Sequence, residues 1–315
     1  METSALKTSM NDTGVVLGAA DDRAAAADAR SAIGHALEEF CARFLGDMPT
    51  VVANAIRYSL LGEGKRLRPV LVLAAFEAAG GRGDATRLAA AVEVVHAYSL
   101  VHDDLPCMDD DDMRRGRPTV HKVFGVPAAT AAGLAMVPLA VRCALFGAQS
   151  LGLDDARSRL VVLELMRASG AGGMIGGQLL DLEGEARALT LPELERIHNA
   201  KTGALICAAV RIGGIAAGAP EDRIGAFGVY GRAIGLAFQI ADDVLDVTET
   251  TDVLGKTAGR DLVLQKSTYP ALLGIEGAKA RARALVEEGC SALRAEGLLT
   301  SQLEHLARYV VARRN

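Results

Sequence analysis

The sequence predicts an all-α protein, and three observations lead there. Ala and Leu dominate a chain of 315 residues that is 50% hydrophobic but only 4% aromatic, with no Trp, and both residues lead the helix-propensity scale. Apolar residues recur at the helical period, as in Val70, Leu71, Leu73, Ala74, Ala75 and Ala78, and again in Ile197, Ala200, Ala204, Leu205, Ala208 and Ala209. Alternating β-branched runs, the mark of strands, are nearly missing. No composition break, Pro-rich linker or repeat divides the chain. It reads as one helical-bundle domain over 28–315, of about ten or more helices, preceded by a mobile tail over 1–27.

The elements follow in order. The stretch from Met1 to about Ala27 is polar and rich in Asp, Ser and Ala; it lacks the basic-then-apolar order of a signal peptide. Helix boundaries fall at Gly80-Gly81-Arg82-Gly83-Asp84, Gly152-Leu153-Asp154-Asp155, Thr190-Leu191-Pro192-Glu193 and Gly218-Ala219-Pro220-Glu221. The run from Thr190 to Glu193 also fits a capping box. Val123 to Val141 is the longest uncharged stretch, interrupted by Pro127, Gly133 and Pro138 and closed by Arg142. Its length would allow a membrane span, but a buried helix without stable membrane insertion is the expectation.

Composition narrows the function classes. A net charge of −5 and the absence of any basic tail or stripe argue against a nucleic-acid partner. The five cysteines (Cys41, Cys107, Cys143, Cys207, Cys290) are scattered without zinc or disulfide spacing. That pattern points to a reducing, cytoplasmic compartment.

Chemistry concentrates in two aspartate clusters set in apolar runs: Asp103-Asp104-Leu105-Pro106-Cys107-Met108-Asp109 after Tyr98 to His102, and Asp242-Asp243-Val244-Leu245-Asp246 after Leu236 to Ala241. Carboxylates among apolar residues are costly unless paired or metal-bound. Hard oxygen ligands that leave room for water and phosphate suit Mg²⁺. Asp242 and Asp246 stand one helical turn apart on one face, where like charges repel unless a cation intervenes. In the first cluster Pro106 removes a backbone donor and disfavours helix at Leu105. A helical bulge that returns Asp109 to Asp103 is therefore expected. Asp110, Asp111 and Asp112 read as solvated charge with no ligand role. Cations gather in Gly64-Lys65-Arg66-Leu67-Arg68, in Arg114-Arg115-Gly116-Arg117, and in Gly255-Lys256-Thr257-Ala258-Gly259-Arg260 with Lys266 beyond. Arginine forks and lysine point charges are the usual phosphate partners; for Arg114, Arg115 and Arg260, pairing with the neighbouring acids competes with that role. The whole reads as acidic jaws for metal beside cationic seats for a polyanion.

From about residue 30 to the C-terminus the chain resembles the short-chain trans-polyprenyl diphosphate synthases, which include farnesyl and geranylgeranyl diphosphate synthases. The resemblance rests on six ordered motifs: Gly64 to Pro69; His96; Asp103 to Asp109 running into Arg114-Arg115-Gly116; Lys201-Thr202-Gly203-Ala204-Leu205; Gln239-Ile240-Ala241-Asp242-Asp243; and Gly255 to Gly259. It implies the all-α isoprenoid synthase bundle around a central cavity, a homodimer, and two to three Mg²⁺ ions. It implies that isopentenyl diphosphate sits on Lys65, Arg68, His96 and Arg115. The allylic diphosphate and its metals would sit on Asp103, Asp109, Asp242 and Arg114, with Lys201, Lys256 and Lys266 as further phosphate contacts. Asp104, Asp243 and Asp246 complete the expected metal set, Gln178 and Asp181 support it, and Thr202 and Gln239 are expected to stabilise developing positive charge.

In that family an aromatic five residues before the first aspartate, here Tyr98, is similar to a floor that stops growth at fifteen carbons. It lies about 7.5 Å down the helix, with Ser99 beside it. The expectation is a farnesyl diphosphate synthase, with a geranylgeranyl diphosphate synthase as the alternative. A class I terpene cyclase would not need the Lys65, Arg68 and His96 cluster, and a non-catalytic partner subunit would tend to lose one acidic motif. One departure stands out: the family commonly carries Gly-Asp after Phe124-Gly125 and before a Leu-rich helix, where this chain reads Ala132-Gly133-Leu134-Ala135-Met136.

Overall fold

A computed structural model of the chain describes residues 20–185, 187–248 and 267–312. Thirteen α-helices account for most of the described residues. They are α1 (Ala20–Phe44), α2 (Thr50–Leu60), α3 (Leu67–Ala78), α4 (Thr86–Asp103), α5 (Val120–Phe124), α6 (Val126–Ser150), α7 (Asp155–Ser169), α8 (Met174–Gly184), α9 (Leu191–His198), α10 (Ala204–Ala217), α11 (Glu221–Thr248), α12 (Tyr269–Ala295) and α13 (Ser301–Ala312). A hairpin of two-residue strands, β1 (Met113–Arg114) and β2 (Arg117–Pro118), is the one sheet among them. The first helix begins at Ala20, inside the stretch expected to be a tail, because the Ala-rich run from Arg23 to Ala27 favours helix. Residues 1–19 lie outside the described residues.

Burial separates central helices from peripheral ones. α4 is buried on every side from Leu88 to Val95, and α10 and α11 are buried nearly all round; a helix that is apolar all round belongs inside a core. α4 packs against α6, α10 lies between α3 and α11, and α12 flanks α11. α4 and α11 each carry one acidic cluster at the C-terminal end. Val126–Ser150, Leu191–Ala217 and Glu221–Thr248 are long and apolar enough to cross a membrane, yet 50%, 61% and 67% of their most apolar windows are buried within the fold.

Local signals decide where helices stop. The capping box forms: Thr190 N–H donates to Glu193 Oε2 at 2.8 Å. Gly125, at φ 84°, breaks the uncharged stretch into α5 and α6, and Pro127 enters the first turn of α6, where its missing N–H costs nothing. Pro138 does not end α6. It sits on the solvent side, so the carbonyl it deprives, at Leu134, belongs to a residue that is itself 64% exposed. Between α9 and α10 the chain adds a π-helical turn, Asn199–Gly203, and such turns concentrate at functional sites.

Candidate active site

The first acidic cluster begins where α4 ends. Where a helical bulge was expected, the helix stops at Asp103 and a tight turn follows, since Pro106 cannot continue the ladder. The turn returns as expected: Asp109 N–H donates to the Asp103 carbonyl at 2.8 Å. Burial, with Asp109 beside it, pushes the Asp103 carboxyl up to about 6 against the pull of Lys201. Asp104 turns inward. It is 3% exposed, and Arg114 donates to its Oδ1 from Nε at 3.0 Å and from Nη2 at 2.5 Å. Arg114 also reaches Asp111 Oδ2 at 3.2 Å. Asp104 thus braces Arg114, and burial outweighs that partner to leave its carboxyl raised.

Two of the expected cations meet at His96. Arg68 Nη1 and Arg115 Nη2 lie 3.4 and 3.5 Å from His96 Nε2. Guanidinium groups only donate, so Nε2 is the accepting nitrogen. Burial and the cations Arg68, Arg115, Arg114 and Arg66 hold the His96 ring well below the ordinary imidazole value. Arg115 Nη1 donates to the Glu63 carbonyl at 3.0 Å. Gly64 permits this approach, because any Cβ there would collide with the Arg115 guanidinium. Lys65, three residues before Arg68, is exposed.

The π turn joins the two halves of the site. Lys201 Nζ pairs with Asp181 Oδ2 on α8 at 2.7 Å and lies within electrostatic reach of Asp103. Gly177 on α8 abuts the backbone of Lys201 with no room for a Cβ. Thr202 Oγ1 donates to Gln239 Oε1 at 3.1 Å, and Gln239 Nε2 donates to Asp243 Oδ1 at 3.1 Å. The other oxygen of Asp243 accepts from Tyr269 N–H at 3.0 Å. Asp243 is therefore buried and bonded through both oxygens, whereas Asp242 is half-buried beside it. Asp246, 7% exposed, keeps Oδ1 buried without a hydrogen bond. The amide of Gln178, 8% exposed, likewise has both polar atoms buried without hydrogen bonds. Lys256, Lys266 and Arg260 lie outside the described residues.

Tyr98 is buried at 8% exposure, its ring edge-on to His102 at 5.0 Å. His102 Nε2 in turn lies 3.1 Å from the Thr130 carbonyl on α6. Ser99 Oγ donates to the His96 carbonyl at 2.8 Å. Asp110, Asp112 and His121, given no ligand role in the sequence reading, bring potential ligand atoms within 4.8 Å of one another; Lys122 Nζ occupies Asp112 Oδ1 at 2.7 Å. One partner escaped sequence reasoning: Glu93, which forms a buried ion pair with Arg66 at 2.6 Å. Its signal was present: Glu93 is the one charged residue in the apolar run from Leu88 to Val95, and a lone buried acid needs a partner.

The donors suit a hard divalent cation. Asp103, Asp109 and Asp242 offer carboxylate oxygen, and Asp103 is destabilised as an anion until positive charge arrives.

Comparison with known proteins gives the chain's family. Farnesyl diphosphate synthase of Escherichia coli (strain K12) is 47% identical over 281 residues, covering 86% of this chain and 93% of that protein. Geranylgeranyl pyrophosphate synthase 12, chloroplastic, of Arabidopsis thaliana is 44% identical over 272 residues, covering 85% and 75%. Among solved structures, the geranyltransferase from Legionella pneumophila superposes with a TM-score of 0.81 at 31% identity, covering 92% of this chain and 96% of that one. Residues 49–297 match the family described as polyprenyl synthetase, and the chain belongs to that family.

Proposed function

We propose that the protein is a prenyltransferase that joins isopentenyl diphosphate to dimethylallyl and then geranyl diphosphate, releasing pyrophosphate and making farnesyl diphosphate. The observation that carries this reading is the pairing of two unlike anion seats. One is a cationic cluster, Arg68, His96 and Arg115, to which the exposed Lys65 of the same segment is assigned. The other is a carboxylate set, Asp103, Asp109 and Asp242, which can hold a diphosphate only through metal.

Asp103, Asp109 and Asp242 would hold two to three Mg²⁺ ions, which would supply Lewis-acid polarisation of the allylic diphosphate. Lys201, steadied by Asp181, adds charge on the departing pyrophosphate. The Thr202 hydroxyl and Gln239 amide are locked to each other and to Asp243, so their dipoles stay oriented where allylic positive charge develops. The cationic cluster fixes isopentenyl diphosphate so that its double bond faces that carbon. The allylic C–O bond breaks to leave pyrophosphate and an allylic cation. The isopentenyl double bond attacks that cation to form the C–C bond, and a proton leaves the new chain to the departing pyrophosphate. Aliphatic walls of α4, α10 and α11 exclude water that would quench the cation.

Tyr98, held by His102, supports a fifteen-carbon product. Geranylgeranyl diphosphate is the second reading, favoured by the 44% identity to the plant synthase. We assign the protein to the cytoplasm as a homodimer. Val126, Leu134 and Leu145, at 42%, 64% and 40% exposure, form a row along one side of α6 suited to a second copy. The test is turnover of purified protein with Mg²⁺, isopentenyl diphosphate and dimethylallyl, geranyl or farnesyl diphosphate in turn. Farnesyl diphosphate from the first two primers, with farnesyl diphosphate itself not extended, is expected. Efficient extension of farnesyl diphosphate would select the second reading, and cyclic hydrocarbon would replace both.

A further inference from the structure

Arg66 is the cation of the Gly64–Arg68 segment that does not face the cluster. Its side chain is 10% exposed and it occupies φ 50° at the N-cap of α3, a left-handed conformation unusual for a residue with a Cβ. Three hydrogen bonds fix it there. Nη2 donates to the carbonyls of Leu60 and Gly62 at 2.7 and 2.6 Å, and Nη1 donates to Glu93 Oε1 at 2.6 Å. The two carbonyls belong to the C-terminal end of α2 and the residues just beyond it, where backbone acceptors lack intrahelical partners and the helix dipole favours a cation. Arg66 thus closes the loop from Leu61 to Gly64 back onto itself and ties it to α4.

The register of α4 makes that tie relevant to chemistry. Glu93 and His96 are three residues apart and share a face of α4. Glu93 holds Arg66, and His96 meets Arg68, two residues further along in the first turn of α3. The third cation hangs on the same loop, since Arg115 Nη1 bonds the Glu63 carbonyl, which lies inside the segment Arg66 closes. Glu93 is also within electrostatic reach of Arg115. It is 1% exposed, the buried counter-charge beneath a group of like-charged side chains that would otherwise repel one another.

We propose that Glu93, acting through Arg66, is a positioning residue for the isopentenyl diphosphate seat: the pair sets the loop that presents Lys65, Arg68 and Arg115, without itself touching substrate. The inference rests on the assignment of that seat in the proposed function. Its signature is a split in kinetic constants. A seat held out of register binds its own substrate less well but leaves the allylic seat and the chemical step alone.

The experiment is steady-state kinetics of the full chain with each substrate varied in turn, together with melting temperatures. Glu93→Gln and Arg66→Lys should each raise KM for isopentenyl diphosphate about tenfold, with KM for geranyl diphosphate and kcat within about threefold of wild type. Gln cannot balance the guanidinium, and Lys can satisfy only part of the three-acceptor set. The Glu93→Met, Arg66→Met double variant separates positioning from stability. Replacing a buried ion pair by apolar residues is often neutral or stabilising, while the Leu60 and Gly62 carbonyls lose their donor. This variant should therefore melt above the Leu71→Ala core cut and still show the raised KM. Leu71→Ala, a core cut on α3, should lower the melting temperature without moving that KM. Arg68→Ala serves as the reference for the seat. If Arg68→Ala raises KM for isopentenyl diphosphate and the Glu93 and Arg66 variants leave it within twofold, or raise both substrates' KM alike, the positioning role is wrong. If Arg68→Ala does not raise it either, the seat assignment falls and the inference falls with it.

Discussion

His96 shows how a residue's surroundings set its role. It lies against Arg68 and Arg115 and is held well below the ordinary imidazole value, so in the free protein it should be neutral, with its proton on Nδ1. An unperturbed imidazole titrates near pH 6.5. The His96 resonances should therefore remain those of a neutral ring at pH 6, and a midpoint at or above 6.5 in an NMR titration would contradict this. Asp103 is displaced the other way, to about 6 by burial and Asp109. Its folded pKa lies above the unfolded value, so its stabilising contribution is present below about pH 4 and lost as pH rises through about 6. At pH 7.5 the charge costs the metal-free fold stability. Asp103→Asn should then melt about 2–4 °C higher without metal while turnover falls at least about 10²-fold, measured by calorimetry and product formation. Asp103 was legible in the sequence because its motif is long, whereas the single residue His96 was picked out only by its place among the other motifs. Arg66 was visible as a cation, but its inward turn was not: that depends on a left-handed backbone and on Glu93, distant in sequence.

Among the elements, the π turn at Asn199–Gly203 does most to assemble the site, since it aims Lys201 toward Asp181 and Asp103 and Thr202 toward Gln239. Nothing in the sequence announced it. A shift from i+4 to i+5 bonding leaves the apolar spacing almost unchanged, so Ile197 to Ala209 read as one regular face. Caps were legible, as at Thr190, because capping is local side-chain chemistry. The end of α4 was half legible: Pro106 marked a break, but not whether the helix would bulge or stop. Close packing against the turn gives an element-level prediction. Gly177→Ala would drive a Cβ into the Lys201 backbone, pushing α8 away and loosening the Asp181–Lys201 pair. It should cost about 1–3 kcal/mol of stability and lower kcat more than KM for isopentenyl diphosphate, checked by denaturation and kinetics of the same preparation.

At the scale of the whole molecule, the bundle lets carboxylates sit at the mouth of an aliphatic interior. Fold class followed from composition and period alone, because Ala- and Leu-rich helices that are apolar all round can only bury one another. In the proposed reading, product length depends on how far that interior runs below Asp103. Tyr98 leans on His102, which is held to α6 at Thr130 and packs directly on Gly133 with no room for a Cβ. Three helical contacts thus stand behind one ring. Tyr98→Ala should shift the products toward twenty carbons and beyond, and an unchanged chromatographic profile would show that the floor lies elsewhere. The central claim, that carboxylate-held metal and a separate cationic seat join two prenyl diphosphates, is tested most directly by incubating purified protein with labelled isopentenyl diphosphate and geranyl diphosphate, with and without Mg²⁺. The account predicts labelled farnesyl diphosphate and free pyrophosphate in the presence of Mg²⁺ and neither after chelation; no labelled prenyl product with Mg²⁺ present would contradict it.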